Sequence, residues 1–276
     1  MSGNSEGAIF HHLRASSQFI PQILAIDPNC GDTEVRAFLL ETYAYMVSVA
    51  NITVNIQPAY SVFALGPCIA GLERFQSCQA SGMMFGFARD LITLIPSICT
   101  LGYNRIIEED TGMDSLESAA CYADLLWKLE NWKESPISEA SKSNVNDLLL
   151  AAKLYKEAIL IFLHAAFYAS KVTDPEFLRL VDTSLYAALS SIDFDNDSPV
   201  LPVMLWPSMI MGSCLRDPMQ REYLRCKMLQ TTFNMTVVLN SVQLLDWLWE
   251  DNSIDAYGPY GLGSVMKKHG IIHSMS

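Results

Sequence analysis

The sequence predicts an all-α fold, a single irregular multi-helix domain of about ten helices over residues 1–276. Apolar residues recur at spacings of three and four through most of the chain, and sustained alternation with β-branched enrichment is absent. Half of the 276 residues are hydrophobic and only 17% are charged, which supplies a large core and argues against general disorder. No stretch rich in Gly, Ser and Pro divides the chain and no internal repeat is present, so one domain is expected.

The first predicted helix covers Glu6 to Ile26 and stops before Asp27-Pro28, because the residue ahead of a proline is pushed out of the helical region. Asp32 or Thr33 caps the second, from about Glu34 to Val54, with Leu39, Leu40, Tyr43, Met46, Val47 and Val54 on its apolar side. A Pro- and Gly-containing stretch from Gln57 to Gly71 reads as irregular. Helix resumes from Met83 to about Glu109, bent where Pro96 removes a backbone donor. Asp114 with Glu117 forms a capping-box-like start for the helix ending near Trp132. Ser135 to Asn144 is the most polar stretch and is predicted to be a mobile loop. A long helix from Asn146 to Val172 follows, and Asp174-Pro175 opens the next by setting a cap before a proline at the first helical position. That helix ends before the acidic loop Asp193 to Pro199. Asp217-Pro218 repeats the device, and Ser241 to Glu250 forms an aromatic helix with Trp247 and Trp249.

Bulk charge excludes one function class. Thirty acidic against eighteen basic residues give a net charge of −12, which repels a phosphate backbone unless Lys and Arg cluster, and they do not. Direct nucleic-acid binding is therefore not expected. Seven scattered cysteines without a C-x-x-C pair point to reduced thiols in a cytoplasmic or nuclear setting. The N-terminus lacks the features of a signal peptide. The longest apolar run, Ala158 to Ser170, is shorter than the ~20 residues a membrane span needs and contains His164. No membrane association is expected, and the Asn51-Ile-Thr53 and Asn234-Met-Thr236 sequons should stay unmodified.

Standard chemical motifs are missing. Asp193, Asp195 and Asp197 alternate like the opening of a calcium loop, but Ser198 and Met204 stand where that loop needs Gly and Glu. His11 and His12 are adjacent and point to different sides of a helix, so they cannot share a metal. H-E-x-x-H, G-x-S-x-G and G-x-x-x-x-G-K-[ST] are all absent, and no metal or cofactor is expected.

Polar residues in apolar surroundings are the remaining candidates. His164 stands in the most apolar helix, either as a boundary histidine or as a buried acid or base. Glu41, Tyr45, Ser48, Asn51 and Asn55 make a polar stripe down the second helix, either a solvated face or the polar side of an internal cavity. Arg89-Asp90 interrupt another apolar helix, and a charge buried there would need a partner. Thirteen Met, twelve Phe and eleven Tyr are enough to line an adaptable apolar pocket, or simply to fill a core.

Three stretches carry a family resemblance. They are Phe38-Leu-Leu-Glu-Thr-Tyr-Ala-Tyr-Met46 with Asn51-Ile-Thr53, Gly86-Phe-Ala-Arg-Asp-Leu-Ile-Thr-Leu-Ile-Pro96, and Leu205-Trp-Pro-Ser-Met-Ile-Met-Gly-Ser-Cys214 followed by the aromatic stretch Leu244 to Trp249. Together they resemble the fungal-specific transcription factor domain, the helical effector region of zinc binuclear cluster regulators, from about Phe10 to His273. Trp206-Pro207 with Gly212 and Cys214 carries most of the likeness. The family's DNA reader is a six-cysteine zinc cluster near the N-terminus, whereas Cys30 is the only cysteine here before Cys68. The resemblance implies a helical body that senses small molecules, with no catalytic residues.

Two functions are expected from this. The first is a cofactor-free protein of fungal specialised metabolism that binds an apolar metabolite and guides a cyclisation, cycloaddition or isomerisation by holding one folded conformer. In it Arg89 polarises a carbonyl and His164 moves a proton, while Glu41, Tyr45, Asn51 and Trp206 contact the ligand. The alternative is a transcription regulator without its own DNA-binding module, acting through ligand sensing, as a homodimer or through a protein partner.

Overall fold

The computed structural model describes residues 8–25, 33–54, 88–134, 145–189, 198, 200–230, 236–271 and 273. They form α1 (Ala8–Ser17), α2 (Ile20–Ala25), α3 (Thr33–Val49), α4 (Arg89–Ile92), α5 (Ile95–Thr111), α6 (Leu116–Glu130) and α7 (Val145–Tyr168). After these come α8 (Pro175–Leu189), a 3-10 turn (Leu201–Met204), α9 (Leu205–Ser213), α10 (Pro218–Leu229), α11 (Thr236–Glu250) and α12 (Gly258–His269). No strand occurs among the described residues, so the all-α class holds, and ten of these helices are longer than the short turns α2 and α4.

The architecture is organised around α7. Its 24 residues include a nearly unbroken buried run from Ala158 to Ala166, so it has no solvent face in that stretch. A helix apolar all round belongs at the centre of a core, and α7 packs against α4, α5, α6, α8, α9 and α12. A second layer forms where α9 meets α10, α11 and α12. Gly212 in α9 permits that approach: a Cβ there would stand 2.7 Å from Leu224 Cδ2 and 3.0 Å from Leu245 Cδ1. The core is one connected cluster, running from Leu13 to Val265.

Local chemistry explains where the helices differ from the sequence expectation. The first predicted helix breaks at Gln18-Phe19, because Pro21 near the start of α2 cannot continue the upstream hydrogen-bond ladder. The second stops at Val49 rather than Val54. The Asn51 side chain takes over the backbone N–H of Thr53 at 3.3 Å and donates to the Thr53 carbonyl at 2.9 Å, a local turn that competes with helix. Pro96 divides its helix into α4 and α5 across a turn at Thr93-Leu94 instead of bending it. The N-cap of α6 is Ser115, whose Oγ accepts from Glu117 N at 3.0 Å, while Asp114 pairs with Arg105 at 3.2 Å. The long helix α7 ends at Tyr168, not Val172, with Ala169 in a left-handed conformation at φ 47°. The aromatic helix α11 starts at Thr236, five residues early, and α12 had no counterpart in the sequence reading.

Both Asp-Pro starts form as expected. Asp174 Oδ1 accepts from Glu176 N at 2.8 Å and from Phe177 N at 3.3 Å. Asp217 Oδ1 accepts from Met219 N at 2.7 Å and from Gln220 N at 3.3 Å. The irregular Gln57 to Gly71 stretch, the Ser135 to Asn144 loop and Asp193, Asp195 and Asp197 lie outside the described residues.

Candidate functional site

The polar stripe of α3 faces inward. Glu41 is fully buried and Tyr45 and Ser48 nearly so, while Ser48 returns its hydroxyl to the Ala44 carbonyl at 2.8 Å. Tyr45 reaches α7, where its hydroxyl lies 3.3 Å from that of Tyr155 and 3.4 Å from the Val203 carbonyl in the 3-10 turn. Tyr155 donates to the same carbonyl. Its ring stacks on Trp206 of α9 at 6.0 Å between centroids and 6° between planes, and Phe162 meets Trp206 edge-on at 5.5 Å. Trp206 Nε1 donates to the Asn51 carbonyl at 2.9 Å, closing a ring of contacts across α3, α7 and α9.

Three of the predicted residues, Tyr45, Asn51 and Trp206, therefore meet at one junction, and Glu41 precedes Tyr45 by one helical turn. Tyr155 joins them and was missed in the sequence. A hydroxyl-bearing ring between Ala151, Ala152 and Ala158 in an apolar helix was the signal that could have marked it. Burial pushes the Tyr45 hydroxyl up to about 12 against the weaker opposing effect of the Tyr155 hydrogen bond, and burial also raises Tyr155. Both phenols stay neutral at physiological pH. Cys99, buried and 3.3 Å from Asn51 Nδ2, is likewise pushed up to about 12 by burial and remains a thiol.

His164 does not join this junction. It lies nine residues beyond Tyr155, which at 100° per residue puts it on the opposite face of α7 and roughly 13 Å further along the axis. There its Nδ1 is 3.0 Å from the Tyr122 hydroxyl of α6, and Tyr122 stacks on Phe167 at 4.2 Å. Burial lowers His164 to about 4, with the Glu176 carboxylate pulling it up and Arg179 pulling it down. The imidazole is neutral at pH 7 and 3% exposed. Arg89 opens α4, which packs on α3 and α7, and is half-buried. An open depression lies elsewhere, along the outer side of α8 between Pro175 and Tyr186.

Among the described residues no group of three or more His, Cys, Asp or Glu side chains is placed to hold a metal ion. Cys99, Cys121, Cys214 and Cys226 are free thiols. No helix among the described residues is long and apolar enough to cross a membrane.

The result is a helical body wrapped around one apolar helix, its interior hydroxyls and indole bonded to its own carbonyls. The chain belongs to the fungal specific transcription factor domain family, whose model matches residues 1–256. No curated protein and no solved structure matches it.

Proposed function

We propose that this chain is the regulatory domain of a nuclear or cytoplasmic transcription regulator. Its input is an apolar small molecule received where α3, α7 and α9 meet. The observation that carries this reading is the family match across nearly the whole chain, over the same helices that build the junction. The junction supports it physically: the Tyr45 hydroxyl of α3 meets Tyr155 and the Val203 carbonyl, and the Trp206 indole bonds the Asn51 carbonyl just past the end of α3, neutral polar contacts that favour one packing of the helices. A guest that separates Tyr45 from Tyr155 would exchange these bonds for its own and shift α3 against α7.

The cyclisation reading draws on the same residues with less support. Tyr45, Trp206 and Asn51 Nδ2 point their donors at the protein's own backbone carbonyls. His164, the expected proton carrier, lies on the far side of α7.

The test tethers the full chain to an unrelated DNA-binding module in a yeast reporter strain and reads transcription with and without extracts of apolar fungal metabolites. A reporter output that changes with the tethered chain and is lost in Trp206→Ala is expected. An inert tethered chain, together with turnover of a metabolite by the purified protein, would overturn the regulatory reading.

A further inference from the structure

α12 is a helix that its own sequence supports poorly. Its 12 residues include Gly261 and Gly263 in the interior, and glycine is the weakest helix former after proline. Isolated helices of about that length are marginal even when rich in alanine. The N-cap residue Tyr257 makes no side-chain cap hydrogen bond, and Gly258 opens the helix at φ 66°. Gly261 has no room for a better helix former. A Cβ there would stand 2.7 Å from the Ala256 carbonyl carbon and 2.9 Å from the Asp255 carbonyl oxygen, so α12 packs on the residues that lead into it and would move with them.

Docking is what holds α12 in shape. Leu262 and Val265 are buried where it packs against α7, α9 and α11. Lys268 pairs with Asp251 at 2.9 Å, and His269 stacks on Trp247 of α11 at 4.0 Å between centroids. The chain then turns at Gly270, φ 64°, and His273 is buried against α11 with its Nε2 2.9 Å from Ser241 Oγ. At the other end, the loop from α11 is exposed at Asn252, Ser253 and Ile254. Cys214 lies beneath this segment, fully buried: a Cβ added at Gly258 would meet its Sγ at 3.5 Å. Trp206 stands near the start of α9, at the junction, whereas Cys214 stands just past its end, under α12.

We propose that Asp255 to His273, α12 with its tail, is a latch that undocks as one unit and loses its helix while the body around α7 stays folded. A terminal segment can leave without breaking the central core, and the helix with the least stability of its own leaves most readily. Undocking uncovers Cys214 and loosens the end of α9 opposite Trp206. The latch is independent of what binds at the α3–α7–α9 junction.

Labelling of the folded full chain with N-ethylmaleimide in rising urea tests it, with Cys214 followed by peptide mass spectrometry and global unfolding by circular dichroism. A buried thiol reacts only while its cover is open. Cys214 should be labelled roughly tenfold or more faster than global unfolding allows. Its rate should also climb less steeply with urea, because a latch exposes less surface than the whole chain. Val265→Ala should speed Cys214 labelling roughly tenfold or more, and His273→Ala should speed it too, since helix and tail leave together. Leu129→Ala, which removes a buried side chain of α6, should lower the urea midpoint yet leave Cys214 labelling within about twofold of wild type. Three results would each overturn the latch: wild-type Cys214 labelling with the urea slope of global unfolding, labelling that rises in Leu129→Ala in step with unfolding, or labelling unmoved by Val265→Ala or by His273→Ala.

Discussion

The two faces of α7 solve the same problem differently. On the Tyr155 face, buried polarity consists of neutral hydroxyls and an indole that all end on backbone carbonyls of other segments. On the His164 face it is an imidazole bonded to a second side chain, Tyr122, with the exposed Glu176–Arg179 pair nearby. The two phenols of the first arrangement are pushed upward by burial and stay neutral from pH 4 to 9. The second stays silent only while the imidazole is deprotonated. Burial alone does not decide whether an interior polar group makes a fold sensitive to acid; the ionisation range of the group does.

Removing Trp206 should break the comparison most severely. Trp206→Ala deletes a fully buried indole, its stack on Tyr155 and its bond to Asn51, and should cost about 3–5 kcal/mol in urea unfolding with little change in the shape of the pH profile. A loss below about 1 kcal/mol would mean that the junction is not packed as described.

Acid should come next, on the other face. His164 titrates at 6.5 unfolded and about 4 folded, so the unfolded chain binds the extra proton between those values. The stabilisation is complete above pH 6.5 and declines as pH falls toward 4, by about 3 kcal/mol. His273, also lowered to about 4 by burial and 2.9 Å from Ser241 Oγ, adds a loss of the same sign. Urea midpoints measured from pH 7.5 to 4.5 should fall steadily in the wild type and less in His164→Gln. Identical slopes would show that the imidazole is not desolvated.

The hydroxyls of the first face should give the smallest effects. Tyr155→Phe leaves the Val203 carbonyl with only the longer Tyr45 contact and should cost about 1 kcal/mol. Tyr45→Phe keeps the Tyr155 bond and should cost about half as much. Reversal of that order in thermal unfolding would mean that Tyr45, not Tyr155, satisfies the carbonyl.

The legible parts of the fold were those decided within a few residues. Asp174-Pro175 and Asp217-Pro218 announce helix starts because cap and proline act locally. Pro21 acts just as locally, ending the first helix before Pro28 is reached. The shift from Asp114 to Ser115 at the start of α6 follows from Arg105, a partner nine residues away that claims the aspartate. For Glu41 and Tyr45 the sequence left a solvated face and a buried polar side both open, and the structure decides for burial. A polar stripe facing water and one facing another helix have the same spacing, and only the position of α7 distinguishes them. The separation of His164 from Tyr155 needed only helical geometry, since nine residues are two and a half turns.

The enclosure of α7 by six neighbours has a dynamic consequence. Its amides between Ala158 and Ala166 should open to deuterium only when the whole molecule unfolds, while rim helices such as α1 and α10 exchange through smaller, independent fluctuations. A pillar held from every direction cannot bend to relay a signal. On the regulatory reading proposed above, an input would move the outer helices against α7 rather than bend α7 itself.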